Sequence, residues 1–167
     1  SQKRLNEFLK IEPEIQNTNI HRSKIEGNIT FDNVSFTYND TQIKALQNVS
    51  FTVHKGETLA ILGKTGSGKS TILALLSRLY DVSSGQILID NHEISQLNLF
   101  DLRNSIGVVP QDAFLFSDTI KNNIKFGKED ATDQEVEAVE KSAVVHDNII
   151  GFKKGYDTIL GERGINL

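Results

Sequence analysis

The sequence predicts an α/β fold, and three observations carry that prediction. Thr58-Leu59-Ala60-Ile61-Leu62 is an apolar run of the kind that forms a strand buried on both faces. It leads directly into Gly63-Lys64-Thr65-Gly66-Ser67-Gly68-Lys69-Ser70, which fits G-x-x-x-x-G-K-[ST]. Ile72, Leu75, Leu76 and Leu79 then stand at i, i+3, i+4 and i+7, so a helix opening near Lys69 has one continuous apolar face. Strand, glycine-rich loop and helix in this order define a P-loop core.

The remaining elements follow from the same patterns. In residues 1–10, Leu5, Phe8 and Leu9 fall at helical spacing among charged residues, which predicts a short amphipathic helix. Residues 11–27 are polar, carry Pro13 and hold no period, as a linker does. Ile29 and Phe31, then Val34, Phe36 and Tyr38, alternate with polar residues, and Val49, Phe51 and Val53 repeat the alternation after the turn-like Asn39-Asp40-Thr41. These predict an antiparallel β section ahead of the glycine-rich loop. Beyond the loop helix, residues 81–85 read as a turn, 86–90 as a short strand and Asn91-His92-Glu93 as a β-turn. Asn98 caps a brief helix to Asn104, and residues 106–109 form a second buried strand stopped by Pro110. From Asp118 onward the pattern is helical. Ile120 and Ile124 are four apart, and Thr132-Asp133-Gln134-Glu135 is a capping box ahead of the stripe Val136, Val139 and Ala143.

Composition narrows the function. A chain of 167 residues is about one domain. Its formal charge of −4 is spread over interspersed acids and bases, with no basic patch, which argues against a nucleic-acid partner. The absence of cysteine excludes a disulfide framework and thiolate metal sites. The histidines, His21, His54, His92 and His146, are far apart and lack metal-like spacing. No apolar run approaches the roughly 20 residues that span a bilayer, and no signal peptide starts at Ser1, so the chain is expected to be soluble. It has no methionine, as expected of a processed chain or a piece of a longer one.

The loop itself points to a nucleotide. Its glycines and small side chains let backbone N–H groups turn inward around a polyphosphate, and the helix start adds its positive dipole end. Lys69 then meets the β- and γ-phosphates, Ser70 offers a hydroxyl to magnesium, and Thr71 lies close to the α-phosphate. The loop does not fix the base or the reaction. The guanine-reading N-K-x-D pattern is absent, the nearest approach being Gly127-Lys128-Glu129-Asp130, and no D-x-x-G segment follows the loop, which argues against a GTPase. Asp90 ends the apolar Ile87-Leu88-Ile89, but no Glu follows it and a turn does, so it is not taken as a metal ligand.

The order of motifs resembles the nucleotide-binding domain of ATP-binding cassette (ABC) transporters of the exporter type, over nearly the whole chain. Val34-Ser35-Phe36-Thr37-Tyr38 resembles the strand that ends in the adenine-stacking aromatic, and Ala45-Leu46-Gln47-Asn48-Val49-Ser50-Phe51 the next strand, with Ala45 near the same base. Ser84-Gly85-Gln86-Ile87-Leu88-Ile89-Asp90 matches the segment after the loop helix. Ile106-Gly107-Val108-Val109-Pro110-Gln111-Asp112, then Phe116, is similar to the glutamine loop. Gly155-Tyr156-Asp157-Thr158 with Gly161-Glu162-Arg163-Gly164 is similar to the segment that exporters carry before their signature sequence.

The resemblance implies a fold and a set of roles. The fold is an incomplete P-loop NTPase core with an antiparallel β subdomain and the start of a helical subdomain, divided as residues 1–27, a helix and linker leaving a membrane domain, 28–111, the β subdomain and core, and 112–167, the glutamine loop and partial helical subdomain. Tyr38 stacks on adenine, a contact worth about 1–3 kcal/mol; read from its pattern alone, it is equally an ordinary strand aromatic. Gln111, otherwise an unremarked glutamine, reaches magnesium or the attacking water and acts with Lys69 on the reacting phosphate. Gly161, Glu162, Arg163 and Gly164 lie near the transmembrane coupling helices, although Glu162 and Arg163 alone read as a solvated pair. The implied cofactors are ATP and Mg²⁺. The implied partners are a transmembrane domain of the same parent chain and a second nucleotide-binding domain, in a homo- or heterodimer at the cytoplasmic face of a membrane. Because the chain stops where the signature begins, with Leu167 its first residue, it is expected to bind Mg-ATP weakly without hydrolysing it. A soluble P-loop kinase and a regulatory ABC-type ATPase without a membrane partner are the alternatives.

Overall fold

The computed structural model describes residue 9, residues 13–112 and residues 114–161. The chain divides into two compact units, Ser1–Val108 and Val109–Leu167.

In the first unit, the alternating residues form β1 (Ile29–Thr37) and β2 (Lys44–Val53), paired antiparallel with Phe31 opposite Phe51 and Val34 opposite Val49. The pleat turns Phe31, Val34 and Phe36 inward. The Phe31 and Phe51 rings stack with centroids 4.4 Å apart. β1 bends at Asn33, whose φ is 49°, and its pairing with β2 shifts register there. On its other side β1 pairs antiparallel with β3 (Ser84–Ile89), which hairpins into the two-residue β4 (His92–Glu93), giving the sheet order β2-β1-β3-β4. Asp90 and Asn91 make that hairpin's turn with φ of 52° and 64°, the positive pair that a two-residue turn of type I′ requires.

Helix α1 (Lys69–Leu76) follows the glycine-rich loop and buries Ile72 and Leu75 in the same core as Phe31 and Ile87. Of the expected stripe, Leu76 is partly buried and Leu79 is exposed, because the helix stops at Leu76. Arg78, just past that helix, is 5% exposed and binds Asp81 through Nε at 3.0 Å. Helix α2 (Leu99–Asn104) starts where Asn98 predicts it, with Asn98 Oδ1 accepting the N–H groups of Phe100 and Asp101 at 3.1 and 3.2 Å.

Residues 58–62 and 106–109, expected from their apolar content to be buried strands, are not strands. Leu59, Ile61, Leu62, Val108 and Val109 are all exposed, Leu62 to 93%. Apolar content makes a run suitable for a buried strand, but a strand exists only when neighbours accept its backbone N–H and C=O groups. Among the described residues, no member of the antiparallel sheet pairs with either run.

The stretch before β1 has neither helix nor strand, yet it is fastened along its length. Asn17 Oδ1 accepts Leu99 N–H at 2.9 Å, and Asn98 Nδ2 donates to Asn19 O at 2.7 Å. Arg22 Nη1 and Ser23 N–H both donate to the Asp101 carboxylate at 2.8 Å. The expected helix over residues 1–10 lies outside the described residues except for Leu9, which is helical and exposed.

In the second unit, α3 (Ile120–Lys125), α4 (Asp133–Ser142) and α5 (His146–Ile150) surround a small core of Ile120, Ile149 and Leu160. Thr132 and Glu135 complete the capping box of α4. From that helix's expected stripe only Val136 is buried, while Val139 and Ala143 are exposed. Ile120 N–H donates to Thr158 O at 3.0 Å and Leu160 N–H to Asp118 O at 2.9 Å, tying the start of α3 to residues 158–160.

Candidate nucleotide-binding site

Residues 63–68 form no regular element, and α1 opens at Lys69 with Gly68 as its N-cap. Gly68 has φ +88°, and a Cβ there would run into the Ala45 carbonyl oxygen and stand 2.8 Å from Leu46 Cδ2. Glycine is required for both reasons, and its absence of a side chain lets the loop close against β2. The first turn of α1 therefore points its N–H groups into the space beside Ala45.

That space is a hollow of about 240 Å³ lined by Tyr38, Ile43, Ala45 and Gly66-Ser67-Gly68-Lys69-Ser70-Thr71. The Lys69 ammonium is folded over the loop, donating to the carbonyls of Gly63 and Lys64 at 2.8 Å each and to Ser67 Oγ at 3.3 Å. Ser70 is exposed. Thr71 is 5% exposed, and its Oγ1 lies 3.1 Å from Tyr38 Oη. Tyr38 follows the last residue of β1, half-buried, with Phe36 and Tyr80 edge-on to its ring at 4.8 and 5.4 Å.

The expected site residues are thus mostly gathered. Tyr38, Ala45 and the loop from Gly66 to Thr71 line one hollow, and Gly63 and Lys64 anchor the Lys69 side chain. Thr65 is exposed at the loop's bend and does not line the hollow. Gln111 belongs to the second unit, where it is exposed. Gly161 is half-buried, and Glu162, Arg163 and Gly164 lie outside the described residues. Ile43 was not foreseen from the sequence. Its carbonyl accepts Tyr38 N–H at 3.0 Å, closing the turn between β1 and β2, and an exposed isoleucine placed between Tyr38 and Ala45 was the signal for it.

Asp90 is engaged elsewhere. Its carboxylate accepts the N–H groups of Glu26, Gly27 and Asn28 at 2.7, 3.3 and 2.9 Å and Asn28 Nδ2 at 3.0 Å. Burial pushes its carboxyl up, but these donors outweigh burial and hold it below the ordinary aspartate value. Among the described residues no group of three or more histidines, cysteines or carboxylates is placed to hold a metal ion.

A glycine-rich loop capping a helix, a lysine folded over it and an aromatic ring beside it define a phosphate-binding nucleotide site on an α/β scaffold. The family of ABC transporters matches residues 46–159, and the chain belongs to it. The chain is 55% identical over 142 residues to mouse ATP-binding cassette sub-family B member 6, covering 85% of this chain and 17% of that protein. It is 50% identical over 142 residues to a putative multidrug export ATP-binding/permease protein of Staphylococcus aureus (strain NCTC 8325 / PS 47), covering 85% of this chain and 25% of the relative. The solved structure of a bacterial Atm1-family ABC exporter with ATP bound superposes with a TM-score of 0.90 at 39% identity, over 99% of this chain and 30% of that one. The matched chains are therefore of exporter type, and this chain spans 17 to 25% of the length of those two curated relatives. Membership implies ATP binding.

Proposed function

We propose that this chain is the ATP-binding part of an exporter-type ABC transporter, which couples ATP binding and hydrolysis to transport across a membrane. The observation that carries this reading is the hollow in which Tyr38 and Ala45 face the loop from Gly66 to Thr71. It offers a flat ring for a base at one end and backbone N–H groups with a cationic side chain for phosphates at the other. Geometry and donor set fit a nucleoside triphosphate. Adenine stacks on Tyr38 beside Ala45 and Ile43, the polyphosphate lies in the cradle, and Lys69 exchanges its carbonyl partners for phosphate oxygens.

The exposed Ser70 hydroxyl and the Gln111 amide are the proposed holders of Mg²⁺, which supplies charge neutralisation on the phosphates. Hydrolysis belongs to the whole protein, and these 167 residues supply the cradle. A transmembrane domain of the same polypeptide and a second nucleotide-binding domain are the proposed partners. The export and permease names of the relatives and the ATP-bound exporter structure support this reading. No helix among the described residues is long and apolar enough to cross a membrane, so the span is assigned to other parts of the protein. The segment Gly161, Glu162, Arg163 and Gly164 is the proposed coupling contact.

The test is ATPase activity of the full-length protein in lipid vesicles. Activity lost in Lys69→Ala and reduced in Gln111→Ala supports the reading. Phosphate release that is indifferent to Lys69 contradicts it.

A further inference from the structure

Tyr38 and Thr71 are 33 residues apart in sequence and meet at their hydroxyls, Oη to Oγ1, at 3.1 Å. A phenol oxygen lies on the axis about which the ring spins. A hydrogen bond there fixes where the ring points and leaves its rotation about that axis open. The rotation is fixed by the two rings set edge-on to it, Phe36 at 82° and Tyr80 at 86° between planes. Direction and rotation together determine the plane that a base stacks on.

The anchor at the far end is stiff. Thr71 is β-branched and 5% exposed, in the first turn of α1, one residue after Ser70 and two after Lys69. The ring's aim is therefore referenced to the same helix start that presents N–H groups to the phosphates. A second tie lies close by, where Gly68 packs against the Ala45 carbonyl. The hollow is closed on both sides by contacts that join the β1–β2 pair to the loop.

We propose that Thr71 is a positioning residue for the base: through its bond to Tyr38 it aims the stacking ring, and it thereby couples base stacking to phosphate binding. This rests on the nucleotide reading of the same hollow. The hydroxyl of Thr71 has one proton and two lone pairs, so the bond to Tyr38 leaves it capacity for a phosphate oxygen as well. The distinction lies in what its removal affects. A residue serving phosphates alone acts equally on ATP and on a base-free polyphosphate, whereas one that aims Tyr38 acts on ATP selectively.

The experiment measures equilibrium binding of ATP and of inorganic tripolyphosphate to the full-length protein carrying Tyr38→Phe, Thr71→Val, Thr71→Ser or both Tyr38→Phe and Thr71→Val. Tyr38→Phe and Thr71→Val are each expected to raise the ATP Kd by about threefold to tenfold, the loss of one hydrogen bond. The double variant is expected to be no weaker than the weaker single one, because both remove the same bond. Thr71→Ser recovers most of the affinity lost in Thr71→Val, and tripolyphosphate binding is unchanged in Tyr38→Phe. A silent Tyr38→Phe with equal losses on ATP and tripolyphosphate in Thr71→Val overturns the proposal and assigns Thr71 to the phosphates. Multiplicative losses in the double variant overturn it as well. Absence of ATP binding by the unsubstituted protein overturns the nucleotide reading itself, and the proposal with it.

Discussion

Asp90 and Asn28 hold each other through three hydrogen bonds. Asp90 N–H donates to Asn28 O at 2.8 Å, while Asn28 N–H and Nδ2 donate to Asp90 Oδ1 at 2.9 and 3.0 Å. The residue that ends an apolar strand with a carboxylate, and so invites reading as a metal ligand, is spent on fastening the start of β1. Asp90→Ala is predicted to lower stability by about 1–3 kcal/mol, the cost of stranding partly buried N–H groups. It leaves the ATP Kd within about twofold of the parent's. Urea unfolding and nucleotide titration of one preparation check both halves.

A pH dependence follows from the same contacts. Asp90 is held below the ordinary aspartate value of 3.8 by its donors against the upward pull of burial. Asp101 is held below it by the Ser23 N–H and then by Arg22. A carboxyl lowered in the folded state stabilises fully above its unfolded value and loses that contribution as pH falls through its folded value. Stability is therefore predicted to fall below pH 3.8, with Asp90→Asn showing a shallower fall in the same window. Thermal unfolding at stepped pH measures it.

Gly68 and Gly66 offer a matched pair. Both have positive φ, +88° and +80°, but a Cβ at Gly66 meets nothing within 4 Å while one at Gly68 meets the Ala45 backbone. Gly66→Ala is predicted to cost about 1 kcal/mol of backbone strain and to leave ATP binding measurable. Gly68→Ala adds displacement of the loop from β2 and is predicted to weaken ATP binding at least about tenfold, since a shift of roughly 1 Å misplaces every cradle N–H group. Comparable effects at the two positions would contradict the packing argument.

In the second unit, the capping box of α4 is the separable contribution. Lys128, then the Thr132 N–H and hydroxyl, pull the Glu135 carboxyl down to about 2. Its contribution is present above the ordinary value of 4.5 and is lost as pH falls toward 2. Thr132→Ala is predicted to cost about 1 kcal/mol. Glu135→Gln is predicted to flatten the acid limb of helicity below pH 4.5, followed by circular dichroism.

Local signals were legible where the chain itself completes them. Asn98 and Thr132 cap helices with their own side chains, and β1 meets β2 across a short turn, so pattern and structure agree. Residues 58–62 carry an equally clear apolar pattern but need neighbours on both edges, which pattern does not supply. At the site, the motif marked the cradle and resemblance brought in Tyr38 and Ala45. The contact of Tyr38 with Thr71 was not legible, because it joins residues far apart in sequence through a turn whose geometry depends on Ile43. The buried Arg78 was missed for a similar reason: nothing in its sequence neighbourhood distinguishes it from a solvated arginine.

Whether nucleotide occupies the hollow is decided by calorimetric titration of the full-length protein with Mg-ATP, alongside Lys69→Ala and Tyr38→Ala. Binding is predicted that Lys69→Ala abolishes and that Tyr38→Ala weakens by about tenfold or more, the loss of one stacking contact. Binding that survives Lys69→Ala and ignores Tyr38→Ala would contradict this, because the nucleotide would then lie outside the hollow that these two side chains line.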